Sequence, residues 1–166
     1  LSFWLRVSVV CAAGAVTLGW LADRATEDRR LRRVELASFW ARVALAAGLF
    51  FISDLGWPIL KSLQMGNGLW SFGGDAQAYH AYGQTMSQSW RLGEPAILPE
   101  ARIRPYSFVV AVIYRLLGSH LLFPLIFNAW CGAMCGLLAY LIAGRAVGEH
   151  LRDAHGRDEK RELSGP

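Results

Sequence analysis

Three stretches of this chain, 1–22, 36–57 and 121–147, each run for more than twenty residues with scarcely a charge. About 20 predominantly apolar residues suffice to cross a hydrocarbon core ~30 Å thick. The charges within them are Arg6, Arg42, Asp54 and Arg145, each read here as lying toward an end of its stretch. A soluble fold would intersperse polar positions at helical or strand period along its elements. These runs are instead apolar all round, as lipid-facing helices must be. Composition agrees: 54% of residues are hydrophobic and 18% charged, and the charges collect in 23–35, in 91–104 and after Gly144. The expected architecture is an all-α integral membrane protein with about three transmembrane helices, plus one interfacial helix in a long non-cytoplasmic loop.

Charge placement orients this scheme. Residues 23–35, DRATEDRRLRRVE, hold five arginines and are too short to form a domain. A dense arginine cluster between two spans marks a cytoplasmic loop. In the second span Arg42 is expected to reach back to that side, with Asp54 near the far end and Trp40 and Trp57 at the two interfaces. The loop 58–120 then lies outside the cytoplasm, and 148–166 forms a polar cytoplasmic tail, expected to be frayed because it has no apolar face. Within the loop, 105–118 is apolar between Arg104 and Arg115 but short for a span. It reads as an interfacial helix with Tyr106 and Tyr114 at headgroup level; a tilted or re-entrant span is the alternative. Gly132 and Gly136 in the third span permit close helix approach.

The net charge of +4 comes from arginine far more than lysine. Because these arginines sit at the ends of apolar runs and not along one amphipathic face, membrane topology accounts for them and nucleic-acid binding does not. Cys11, Cys131 and Cys135 all fall inside the predicted spans. The C-x₃-C pair shares a helix face, but no His or acidic residue joins it there, and packing is the favoured role. The chain opens at Leu1, not Met, inside a hydrophobic stretch, so a piece of a longer protein is expected.

The loop carries the chemistry. A glycine-rich turn, Gln64–Asp75, precedes a helical segment, Asp75–Trp90. Asp75 follows Gly73-Gly74 and so occupies an N-cap or first-turn position, where a carboxylate bonds backbone N–H groups. Its functional alternative is a general base or metal ligand near the membrane plane. Tyr79 is four residues on, on the same face, whereas His80 is turned off it and reads as a hydrogen-bonded surface residue. Arg102 and Arg104 precede the short helix, where two guanidinium groups either anchor the interface or hold a lipid phosphate.

The order of these elements resembles the N-terminal part of the GT-C class of membrane glycosyltransferases, which includes the bacterial lipid-A aminoarabinose transferases and the protein O-mannosyltransferases. The likeness covers about 36–148. It rests on Gly73-Gly74-Asp75-Ala76 with Tyr79 and Gly83, on Arg104-Pro105-Tyr106, on Leu116–Gly118, and on Ala143–Gly148 at the end of the last span. The resemblance implies that Asp75 matches the acidic residue of the first external loop, near the acceptor nucleophile or a divalent metal. It implies that Arg104 matches the basic residue before proline that binds the phosphate of a polyprenyl-phosphate sugar. Tyr79 matches a supporting aromatic. The second proline of that family segment is Tyr106 here. No second acidic residue adjoins Asp75, whereas many metal-dependent members carry one, so a divalent metal stays an open alternative.

A polyprenyl-phosphate sugar has a phosphate leaving group, so transfer to a glycan, lipid or protein acceptor needs positive charge at the phosphate and a base at the acceptor. Members of the class have many more spans, and this chain is expected to be inactive alone. A small non-enzymatic membrane assembly or interaction protein, with Asp75 merely capping a helix, is the alternative function. A transporter is disfavoured because ion pathways need polar groups at the midplane. Arginine-over-lysine usage points to a high-GC bacterium, hence to the inner (plasma) membrane with the loop on its outer side.

Overall fold

The computed structural model describes residues 2–26, 28–95 and 100–163, with side chains through 146. Five α-helices make up most of it: α1 (Phe3–Ala25), α2 (Arg29–Asp54), α3 (Gly74–Leu92), α4 (Arg104–Leu117) and α5 (Leu122–Leu163). Three of them are long and apolar enough to cross a membrane: α1, α2 and the Leu122–Ala146 part of α5. The chain is thus mostly helical with three candidate membrane-spanning helices, an architecture compatible with an all-α membrane protein.

These three helices pack around Cys11 and Leu18 of α1, Phe39 of α2, and Ile126, Ala129 and Ala133 of α5. Gly14 lets Phe39 approach: a Cβ there would lie 3.1 Å from Phe39 Cζ. Trp130 Nε1 donates to Thr17 Oγ1 at 3.2 Å, tying α5 to α1 at the outer surface of the bundle.

Several elements depart from the sequence reading. The basic segment 23–35 is almost wholly helical, divided between the end of α1 and the start of α2. Asp28 caps α2 by accepting from the Arg30 N–H at 2.8 Å, and arginine and leucine are good helix formers. Starting at Arg29 puts Arg42 midway along α2, not near its end. Arg42 Nε reaches Ser38 Oγ at 3.4 Å, and its guanidinium lies over Gly132 of α5, where a Cβ would be 3.0 Å from Nη1. Glu35, placed by the sequence reading at the edge of the loop, is only 6% exposed, with its carboxylate against Gly136. The two glycines therefore make room for charged side chains on α2. The stretch 148–163, expected to be frayed, continues α5 as helix; its several Arg and Glu residues favour that state.

The loop after α2 contains the one sheet among the described residues, an antiparallel hairpin of β1 (Gln64–Gly66) and β2 (Leu69–Trp70). Asn67 (φ 51°) and Gly68 (φ 78°) form its turn, both left-handed as two-residue hairpin turns require. Gly68 is needed twice over, since a Cβ there would run into the Phe50 ring of α2. Ser53 Oγ donates to the Leu69 carbonyl (2.7 Å) and Trp70 Nε1 to the Leu49 carbonyl (3.0 Å), fastening the hairpin to the end of α2. The hairpin thereby fixes where α3 begins.

Candidate functional site

The site is built by α3 and α4. Tyr79 meets Tyr106, Gly83 meets Val110, and Arg91 Nη2 donates to the Tyr114 carbonyl at 3.1 Å. These pairs advance in the same direction along both helices, so α3 and α4 lie side by side in parallel. Their N-termini come together, and each helix presents the positive end of its dipole there. Asp75 is the second residue of α3; Arg102 and Arg104 stand at the start of α4.

Arg102 Nη2 lies 3.8 Å from Asp75 Oδ1, with the two side chains 80% and 63% exposed. A pair this open is loose and contributes little to holding the two helix ends together. Asp75 is not the N-cap: that position is Gly73, which has no side-chain cap. Among the described residues the Asp75 carboxylate accepts no backbone N–H. Metal binding does not fit this arrangement, because its charged neighbour is a guanidinium. Among the described residues no three His, Cys, Asp or Glu side chains come together as ligands.

Behind this charged end lies a cavity of about 190 Å³ lined by Tyr79, His80, Tyr106, Tyr114 and Asn128 with apolar residues of α3–α5. The Tyr79 and Tyr106 rings meet edge to face, centroids 4.7 Å apart. Tyr106 donates its hydroxyl to Asn128 Oδ1 at 2.7 Å, so the aromatic four residues beyond Asp75 is linked through α4 to α5. His80 Nδ1 lies 2.6 Å from the Tyr114 hydroxyl. Tyr114, expected at headgroup level, is fully buried; α3 covers the face of α4 that carries Ser107, Val110, Ala111 and Tyr114.

Of the residues singled out in the sequence, Asp75, Arg102 and Arg104 gather at one end, and Tyr79 stands just behind them. The His80–Tyr114 and Tyr106–Asn128 pairs escaped notice. Asn128 did leave a signal, as the one side-chain amide in the 121–147 stretch, because polar groups in apolar spans have a function or a partner. Nothing in the sequence pairs His80 with a tyrosine thirty-four positions away.

Burial holds the His80 imidazole below its ordinary value, with His120 adding repulsion. Burial also raises the Tyr114 hydroxyl well above the usual range, with Tyr106 contributing. A histidine whose folded pKa is depressed contributes stability that is present above its unfolded value, about 6.5. That stability is lost as pH falls toward the folded value. Thermal midpoints are thus expected to drop between pH 7.5 and 5.5, and to drop less in His80→Asn. His120, also held low by burial, supplies the part that remains. Equal drops in both proteins would exclude His80 as a source.

Comparison with protein-family models, with curated proteins and with solved structures finds no match to this chain. The functional reading therefore stands on the residues themselves.

Proposed function

We propose that this chain is the N-terminal part of a GT-C-type membrane glycosyltransferase, carrying the first external loop that joins donor to acceptor. The observation that carries the reading is the meeting of Asp75 with Arg102 at the converging N-termini of α3 and α4, where Arg104 also stands. A phosphate leaving group needs such a concentration of positive charge, and an attacking hydroxyl needs a nearby carboxylate.

In the proposed reaction an acceptor hydroxyl gives its proton to the Asp75 carboxylate. The freed oxygen attacks the anomeric carbon of a polyprenyl-phosphate sugar. The bond from that carbon to the phosphate oxygen breaks, and polyprenyl phosphate leaves with the bonding pair. Arg104 and Arg102 hold the phosphate as its charge grows, and forked guanidinium groups suit that oxyanion. Tyr79 and Tyr106 set the spacing of the two helices behind the reacting groups. No step runs through a metal ion. The reading also places α4 at the membrane surface on the outer side of a bacterial inner membrane. Its exposed Leu116, opposite the face packed on α3, supports that placement.

The test uses membranes containing the full-length protein and polyprenyl-phosphate donors bearing radiolabelled pentoses or hexoses. Time-dependent transfer of label, matched mole for mole by polyprenyl phosphate, is the expected result. Failure across the donor panel would overturn the reading in favour of a non-enzymatic assembly protein.

A further inference from the structure

At the opposite end of the bundle, the arginines of the α1–α2 turn do more than mark one side of a membrane. Arg29, Arg32 and Arg33, on the first two turns of α2, line a cleft of about 540 Å³ together with Asp23 of α1 and Leu36 of α2. Their spacing of three and four residues places them on one helix face. Asp23 Oδ2 engages Arg32 Nη1 at 3.2 Å, and the Arg32 side chain lies over Gly19, 3.5 Å from the position its Cβ would take. Arg32 thus closes the cleft by bridging the two helices. Arg29 and Arg33 are exposed and form no ion pair among the described residues.

The surroundings have the polarity of a phospholipid. Below the arginines, Leu36 and then the exposed Trp40 continue the same face of α2 into the apolar span. On α1 the Arg24 guanidinium sits 4.8 Å above the ring of Trp20, which is itself exposed. Tryptophan beside arginine at the end of an apolar helix is the chemistry of headgroup level. A free phosphate would use the arginines alone, whereas a lipid uses the arginines and the apolar wall beneath them.

We infer that the cleft formed by Arg29, Arg32 and Arg33 with Asp23 and Leu36 binds the phosphate of an anionic phospholipid, its acyl chains lying along Leu36 and Trp40. This site is separate from the Asp75 end and holds whether or not the chain takes part in sugar transfer. Basic pockets between membrane helices bind headgroups in this way.

The experiment reconstitutes the full chain in nanodiscs of phosphatidylcholine with a minor fraction of phosphatidylglycerol or cardiolipin. Lipid retained on gentle extraction is then counted by native mass spectrometry. Anionic lipid is expected to be retained over phosphatidylcholine. The double variant Arg29→Gln/Arg33→Gln should lower that preference about 30-fold, the effect of two arginine contacts at a bilayer surface. The matched variant Arg30→Gln/Arg145→Gln removes the same charge outside the cleft and is expected to stay within about threefold of wild type, because exposed charges that do not touch the lipid are largely screened. Equal losses in the two variants would reduce the site to diffuse attraction and overturn it, as would no loss in either. Displacement of the lipid by millimolar glycerol phosphate would overturn the lipid assignment and leave a site for soluble phosphate.

Discussion

Replacing Asp75 with asparagine in the full-length protein is expected to slow sugar transfer by about 10²–10⁴-fold, the usual contribution of a general base. Folding should barely change. The side chain is 63% exposed, its contact with Arg102 is 3.8 Å long, and surface pairs of this kind contribute about 0–1 kcal/mol. Loss of charge in the first turn of α3 adds a few tenths of a kcal/mol through the helix dipole. Asparagine keeps the shape of the side chain and removes its charge and its ability to take a proton. The companion variant Arg104→Gln separates the two proposed roles. It is expected to lower kcat and raise the KM for the lipid-phosphate donor, because it withdraws charge from the phosphate both before and during bond breaking. Asp75→Asn should leave the donor KM near wild type. Transfer by Asp75→Asn at the wild-type rate would remove Asp75 from the chemistry.

The contrast between these residues and their surroundings shows what a sequence of this kind exposes to view. The spans were legible because length and uniform apolarity decide membrane crossing without reference to packing. Asp75, Arg102 and Arg104 were legible as residue types beside a helix start. Their convergence was not, because it depends on α3 and α4 lying parallel, which is set by contacts such as Gly83 on Val110, far apart in sequence. Charge density misled the reading of 23–35. Arginine-rich segments do mark loops at membrane surfaces, yet arginine favours helix, and with Asp28 as cap the helix begins six residues before Glu35. That earlier start turns Glu35 toward Gly136 and carries Arg42 to the middle of the span. The hairpin was hidden for a different reason. Asn67-Gly68 is a strong turn signal, but strands of three and two residues are too short to display alternation.

The same parallel packing makes Gly83 a position where added bulk should pull the candidate site apart. A Cβ at Gly83 would lie 2.5 Å from Val110 Cγ1, 3.0 Å from Val110 Cβ and 3.4 Å from the Ala111 backbone nitrogen. Rotating Val110 relieves the first contact and leaves the other two, since its Cβ and the following backbone are fixed to α4. The helices must therefore separate. Overpacking of this kind costs about 1–3 kcal/mol, against about 1 kcal/mol gained when alanine replaces glycine in a helix. Gly83→Ala is thus expected to be mildly destabilising. Gly83→Leu, which drives three further carbons into the seam, should release α4 from α3 altogether. The Tyr79–Tyr106 contact and the His80–Tyr114 hydrogen bond would go with it, and Asp75 would move away from Arg102. Hydrogen exchange should then show faster exchange in α3 and α4, while the apolar parts of α1, α2 and α5 stay protected by their own core. Combining Gly83→Ala with Val110→Ala removes the nearest atom and should recover part of the lost stability. Full additivity of the two substitutions would show that the helices do not meet at this seam, since residues in contact couple by about 0.5–3 kcal/mol. Sugar transfer in Gly83→Leu should fall alongside the exchange protection, because proposed base and phosphate site ride on different helices and only this packing holds them together.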